Sequence, residues 1–374
     1  MQKEYISLGL MSGTSGDGVD ASIIRSNGLN HYEVLENRYI EYSNEIYENY
    51  HKIKEKIHFQ KDLKKYSNEI LDLERRITLF NAKVVKNFDG FKDKEFLVGF
   101  HGQTIYHNPK EKISYQLGDG LLLSQLLKKK IIYNFRKNDI INGGEGAPLA
   151  PIFHQLFVTK KNIEPPISIL NIGGISNITI VKDKVSTNKL YSKDIGPGNC
   201  LIDNWVRSNS NKKFDLNGEI ASRGQINEII LEQALELFSN RKNKDKLSYD
   251  INDFDVSFAR GLSLEDGAIT LTEFTARIIG ESLMNLIIEH KNTIKKILLC
   301  GGGRKNKFLV KKIKKYIPSD VKLELIDSFG ADGDFIESQA FAFLAIRSIK
   351  KLPISFPGTT GCKKPCSGGE LIDS

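Results

Sequence analysis

The sequence predicts a duplicated α/β fold with two domains flanking a cleft, and three observations carry that prediction. A strand-turn-strand hairpin with a glycine-bearing turn opens the chain at Tyr5–Arg25 and recurs about 160 residues later at Ile167–Val181. The second half also contains a strand, Lys296–Cys300, that passes through Gly301-Gly302-Gly303 into a helix at Asn306–Tyr316. At 374 residues the chain exceeds what one hydrophobic core usually fills, so two domains are expected. We place the first at residues 1–150 plus 335–374 and the second at 151–334.

Taken in order, Tyr5–Met11, Val19–Arg25 and Tyr32–Tyr42 are rich in β-branched and aromatic residues separated by turn chemistry, which reads as a three-stranded meander. Helices follow at Asn44–His58 and Lys61–Phe88, the latter with Leu63, Ile70, Leu73, Ile77 and Phe80 on one face. A short apolar strand, Phe96–Phe100, ends in His101-Gly102-Gln103-Thr104. A helix at Gly120–Lys129 and a strand at Ile131–Asn134 lead into a Gly-rich loop, Arg136–Pro151. In the second half, strands Ile167–Asn171 and Asn177–Val181 flank the recurring turn, and Leu190–Ile195 follows. Helices are expected at Leu201–Asn209, Gln225–Phe238 and Asp266–His290. A strand at Lys322–Ile326 and a helix at Phe335–Ile349 precede an irregular tail containing Pro353, Pro357 and Pro365.

Composition narrows the class. Hydrophobic residues are 40% and charged residues 27%, so both domains can bury a core. No run of 18 apolar residues occurs, and the opening residues reach Gly and Ser before a signal-peptide core could form. We therefore expect a cytoplasmic protein without a membrane partner. Four cysteines suit a reducing compartment. Cys362 and Cys366 read C-x3-C, either free thiols or half a zinc site, and the lack of a second His/Cys pair nearby favours thiols. The net charge of +8 raises the question of nucleic acid. Its lysines are scattered, however: Lys128–Lys130, Lys311 to Lys315 and Lys350-Lys351 each sit near a helix end, where cations complement the dipole. No nucleic-acid partner is expected.

The segment from Gly9 to Asp20 holds the densest chemistry. Gly13, Thr14, Ser15, Gly16, Asp17, Gly18, Val19 and Asp20 combine glycines, whose positive φ lets backbone N–H groups converge on phosphate, with hydroxyl donors. Asp17 and Asp20 cannot face phosphate without a cation, so they are candidates for holding hydrated Mg²⁺. A plain hairpin turn is the alternative, although this turn spends more glycine and hydroxyl than hairpin geometry needs. It lacks Gly-Lys-Ser/Thr, so it is not a Walker P-loop. Asn171, Gly173 and Gly174 form a second candidate phosphate turn. Gly301, Gly302 and Gly303 would let a flat adenine lie against backbone, or simply turn a strand into a helix. Asp194 lies beside Gly196-Pro197-Gly198, placed either as a general base or as a turn and capping residue. His101, Gln103, Thr104, Arg136, Asp139 and Gly146 supply polar groups suited to a sugar, with Arg136 available for a carboxylate; His101 could equally be structural.

At these residues the sequence resembles the anhydro-N-acetylmuramic acid kinases of the actin/hexokinase/Hsp70 ATPase superfamily. The resemblance spans nearly the whole chain, on seven segments in the family's order: Met11–Asp20, His101–Thr104, Phe135–Ile140, Gly146–Leu149, Asn171–Asn177, Asp194–Asn199 and Gly301–Gly303. It implies an actin-like (ribonuclease H-like) ATPase fold and an ATP-dependent sugar kinase. The substrate implied is 1,6-anhydro-N-acetylmuramic acid, released in cell-wall turnover. Its ring is opened by water at carbon 1 while ATP phosphorylates the oxygen at carbon 6, giving N-acetylmuramic acid 6-phosphate and ADP. The resemblance further implies Asp194 as the base, Glu337 before Ala340-Phe341-Ala342 in the nucleotide and metal region, and a homodimer. Gly16 stands where the family usually has Leu or Met, which is expected to loosen the turn, and Glu145 where Gln is usual. Two other readings are weighed beside it: a different sugar kinase of the superfamily, and a nucleotide-gated binding protein of the actin type.

Overall fold

The computed structural model describes residues 3–91, 94–240 and 247–373. They form two compact units: Met1–Glu164 with Asp183–Tyr191 and Asp334–Ser374, and Pro165–Lys182 with Ser192–Gly333.

The first unit begins with β1 (Tyr5–Ser12), β2 (Gly18–Ser26) and β3 (Tyr32–Glu41), paired antiparallel in sequence. Helices α1 (Asn44–Lys54), α2 (Gln60–Lys65) and α3 (Ser67–Lys86) follow. The long helix expected over Lys61–Phe88 is thus broken at Tyr66, which leaves the helical region and serves as the boundary of both pieces. β4 (Leu97–Asn108) runs well past its expected end and turns back antiparallel into β5 (Ile113–Leu117), a hairpin the sequence reading missed. Then come α4 (Gly120–Leu127), β6 (Ile131–Tyr133), α5 (Lys137–Ile141) and α6 (Pro151–Lys160).

The second unit is built from β7 (Ile167–Ile172), β8 (Ile175–Val181), most of β9 (Leu190–Pro197), α7 (Cys200–Asn209), α8 (Glu228–Ser239), α9 (Leu264–Glu289), β10 (Lys296–Cys300), α10 (Lys307–Lys314) and β11 (Lys322–Leu325). The chain returns to the first unit with α11 (Ile336–Ile349), α12 (Pro357–Thr360) and β12 (Glu370–Ile372). The tail is therefore not irregular throughout: β12 adds antiparallel to β6.

The sheets prove the duplication. The first has the order β12-β6-β4-β1-β2-β3 and the second β11-β10-β7-β8-β9. In each, a hairpin's first strand lies parallel to the fourth strand of the repeat: β1 to β4, and β7 to β10. Three strands in meander order, then a fourth parallel to the first and a fifth beyond it, are thus present twice: β3-β2-β1-β4-β6 and β9-β8-β7-β10-β11.

Packing explains the glycines inside the first sheet. β1 is buried along its inner length, with Leu8 and Leu10 entering a core shared with Tyr50, Ile53, Ile70, Leu73 and Ile77 of α1 and α3. Its other face meets α11. Gly9 and Gly99 are register partners on β1 and β4, and a Cβ at either would stand 2.0 Å from the Ser338 carbonyl or 2.4 Å from that of Phe341. Bare glycine and the small Ala340 and Ala342 let this helix lie directly on the strands. In the second unit α9 packs against α7, α8 and α10. Tyr316 donates to buried Glu273 at 2.5 Å, and Lys312 pairs with the same carboxylate.

Candidate active site

In the first unit the turn after β1 is tightly held. The Gly16 N–H donates to the Gly13 carbonyl at 3.1 Å, closing the turn, and Thr14 and Ser15 form its tip. Ser15 Oγ donates to Asp17 Oδ1 at 2.7 Å, and the Tyr42 N–H donates to the Asp17 carbonyl at 2.9 Å. Gly16 has φ +63°, and the ring of Tyr50 covers it so closely that a Cβ would stand 2.2 Å from Tyr50 Cδ1. An aromatic ring from α1 thus fills the space beside Gly16. Val19 belongs to the core, so only its backbone is left to face a ligand. Asp20 sits on the opposite face of β2, on the side of Ser22, whose hydroxyl is 2.7 Å from that of Ser338 on α11. Glu337 precedes Ser338 in the first turn of that helix.

The electrostatics of this turn are negative. Burial raises the Tyr39 phenol above its usual range, and Asp17, Glu41 and Asp20 raise it further. Among the described residues no group of three or more His, Cys, Asp or Glu could hold a metal ion unaided. Two carboxylates beside a turn of N–H groups nonetheless suit Mg²⁺, which keeps several waters and takes its remaining ligands from phosphate. Cys362 and Cys366 are buried free thiols.

His101 to Thr104 lie inside β4, not on a flexible loop. His101 is buried, with Nδ1 2.8 Å from the Gly102 carbonyl. A carbonyl only accepts, so Nδ1 carries the hydrogen and Nε2 accepts from Arg136 at 3.0 Å. Burial, with Arg136 adding to it, holds the His101 pKa down to about 3. The ring stays neutral and braces the guanidinium. Gln103 Nε2 donates to the Gly13 carbonyl at 2.7 Å, and Tyr50 Oη donates to the Thr104 carbonyl at 3.1 Å. Asp139 is buried, and its two oxygens accept from the Gly146 N–H and Thr360 Oγ1, both at 2.7 Å. Its carboxylate thereby closes the loop at Gly146 and fastens the tail to it, while its backbone carbonyl accepts from the Gly144 N–H at 2.9 Å.

The second unit gathers three glycine turns. The Gly173 carbonyl accepts from Asn199 N–H and the Gly174 carbonyl from Gly198 N–H, both at 2.8 Å, so the second hairpin turn is fastened to the Gly196–Asn199 turn. A Cβ on Gly301 would meet Asn171 Oδ1 at 2.2 Å, and one on Gly303 would meet Ile172 Cγ2 at 2.3 Å, whereas Gly302 faces open space. Arg304 holds this third turn: it donates to the Gly301 carbonyl at 3.1 Å and grips Asp327 with two bonds of 2.8 Å. That pairing keeps the Asp327 carboxyl below its usual range. Asp194 on β9 is clamped by segment 247–249, donating its N–H to the Leu247 carbonyl and accepting at Oδ2 from the Tyr249 N–H, both at 2.7 Å. It borders a cavity of about 740 Å³ that Lys193, Tyr249, Arg277 and Glu281 also line.

Residues 4–373 match the family described as anhydro-N-acetylmuramic acid kinase. The chain belongs to that family. The anhydro-N-acetylmuramic acid kinase of Pelagibacter ubique (strain HTCC1062) is 54% identical over 374 residues, covering 100% of this chain and 99% of its own. That of Agrobacterium fabrum (strain C58 / ATCC 33970) is 33% identical, covering 98% of each. Among solved structures, the activator of the 2-hydroxyisocaproyl-CoA dehydratase from Clostridium difficile with bound ADPNP is 12% identical, with a TM-score of 0.42, over 92% of this chain and 96% of its own. The segments singled out in the sequence include the glycine turns, but not the groups that hold them. Tyr50, Thr360, Tyr249 and the Arg304–Asp327 pair escaped the sequence reading. Only Arg304, next to its turn, carried a local signal; the others act from elsewhere in the chain.

Proposed function

We propose that this chain is a 1,6-anhydro-N-acetylmuramic acid kinase that couples hydrolytic opening of the anhydro ring to phosphorylation by ATP. Family membership supports the substrate, and the observation that carries the chemistry is Asp194. Its carboxylate is held in one orientation by the Tyr249 N–H, as a general base requires. A water oxygen bonds to carbon 1 and its proton passes to Asp194. The bond from carbon 1 to the bridging oxygen breaks, and that oxygen, still on carbon 6, takes the γ-phosphoryl group and releases ADP. This is inverting glycoside chemistry in which phosphoryl transfer replaces protonation of the leaving oxygen.

In this reading Gly13–Asp20 and Asn171–Gly174 hold phosphates, and Gly301–Gly303 faces the adenosine. Arg136, oriented by neutral His101, pairs with the lactyl carboxylate, while Gln103 and Thr104 meet sugar hydroxyls. Asp139 acts by holding Gly146 in place. Asp17 and Asp20, with Glu337 nearby on α11, would hold Mg²⁺ through water; the cation when bound offsets charge on the phosphates. A cytoplasmic homodimer completes the proposal, and light scattering is expected to give twice the chain mass; a single chain mass would remove the dimer from it. The decisive experiment is turnover of the anhydro sugar with ATP and Mg²⁺ in ¹⁸O water. Label at carbon 1 and phosphate at carbon 6 are expected; phosphorylation without ring opening would favour a different sugar kinase.

A further inference from the structure

Gln103 is wholly buried, and the two ends of its amide stand in different situations. Nε2 donates to the Gly13 carbonyl of the phosphate turn at 2.7 Å. Because a carbonyl can only accept, this contact fixes which end of the amide is NH₂ and which is oxygen. Oε1, the remaining end, is buried and has no hydrogen-bond partner among the described residues. A buried acceptor without a donor is unfavourable, so the site calls for an incoming group that donates. Phosphate oxygens are acceptors at neutral pH and cannot serve. An O–H can, either from a sugar hydroxyl or from a water in the shell of a cation held at Asp17 and Asp20.

A second tie joins the same two segments. The Tyr50 ring lies against Gly16 of the turn while its hydroxyl donates to the Thr104 carbonyl, next to Gln103. The turn and this stretch of β4 are therefore linked through both an amide and an aromatic ring.

We propose that Gln103 couples the two ligands of the first unit: an O–H donor bound at Oε1 fixes the amide, and the amide's other end sets the Gly13 carbonyl and with it the phosphate turn. The coupling rests on the functional reading above. Binding of nucleotide and of sugar then strengthen each other by the same factor, as linkage requires. The two ends can be tested separately. Gln103→Glu keeps an acceptor oxygen but loses the donor to Gly13, whereas Gln103→Met has a similar length and loses both.

Calorimetric titrations use the intact protein, a non-hydrolysable ATP analogue with and without Mg²⁺, and the anhydro sugar, each alone and in the presence of the other. Wild type is expected to bind the sugar about five-fold or more tightly with the analogue bound, and the reverse equally. In both variants that mutual factor falls to within two-fold of unity. Gln103→Met additionally weakens sugar alone if the donor is a sugar hydroxyl, or the analogue only with Mg²⁺ if the donor is cation-bound water; Gln103→Glu spares whichever of these is affected. Full coupling in Gln103→Met overturns the proposal, as does equal loss of every affinity in both variants with unchanged thermal unfolding. Wild type that binds the analogue but not the sugar would overturn the substrate reading instead. In that case the analogue titrations of the two variants still decide whether Gln103 sets the turn.

Discussion

Replacing Asp194 with Asn preserves the side chain's shape and leaves an oxygen to accept from the Tyr249 N–H. What it removes is the capacity to take a proton from water. General bases contribute about 10²- to 10⁴-fold, so kcat should fall by at least about 10² while ATP and sugar dissociation constants stay within about three-fold. A loss confined to KM would remove the base assignment. Gly16 supports a different test, because its positive φ and the 2.2 Å approach of Tyr50 Cδ1 both exclude a side chain. Gly16→Ala should destabilise the protein by about 1–3 kcal/mol in urea unfolding. In a Tyr50→Ala background the steric part disappears, so the two substitutions should be clearly non-additive. That clash also shows the limit of reading residue by residue. The glycine and its departure from the family's pattern were legible in the sequence; the ring that fills the gap, 34 residues away on another helix, was not.

Among elements, the contact of α11 with the first sheet depends on two glycines in adjacent strands. The nearest atoms to a Cβ at Gly9 or Gly99 are backbone, not the flexible end of a side chain, so nothing can turn aside. Gly9→Ala and Gly99→Ala should each lower stability by at least about 2 kcal/mol, read from the urea midpoint at constant m. A change under 0.5 kcal/mol in either would mean that the helix can lift from the strands. Strands and helices with clean periodicity, such as β10 or α11, were placed in the sequence to within a residue or so. β4 was cut short because His101-Gly102-Gln103-Thr104 reads as polar loop chemistry. Its polar side chains are buried nonetheless, through bonds to Gly102, Arg136 and Gly13 that no local pattern encodes. The three residues of β12 are too few for any periodicity, and only pairing with β6 makes them a strand.

At the scale of the whole molecule the duplication was legible, because each repeat announces itself with a glycine turn at the same place in its topology. The charge state of the buried histidines was not, since burial is a property of the fold. Burial holds His101 and His154 down to about 3, against about 6.5 for an unfolded chain. Between those values the unfolded chain binds two protons that the folded protein refuses, so stability must fall as pH falls through 6.5. From pH 6.5 to 5 the loss is about 1.6 kcal/mol per histidine, on the order of 3 kcal/mol for the pair. Glu74 works the other way, because burial raises its carboxyl pKa and protonation in acid relieves the cost of keeping it charged. Its effect should appear at lower pH, nearer the carboxylate range. Urea unfolding at half-unit steps from pH 5 to 7.5 should therefore show a plateau above about 7 and a decline below 6.5. His154→Leu should remove about half of that decline and leave the remaining half to His101. An acid slope unchanged in His154→Leu would mean that the protons enter elsewhere and that His154 is not excluded from water as its burial indicates.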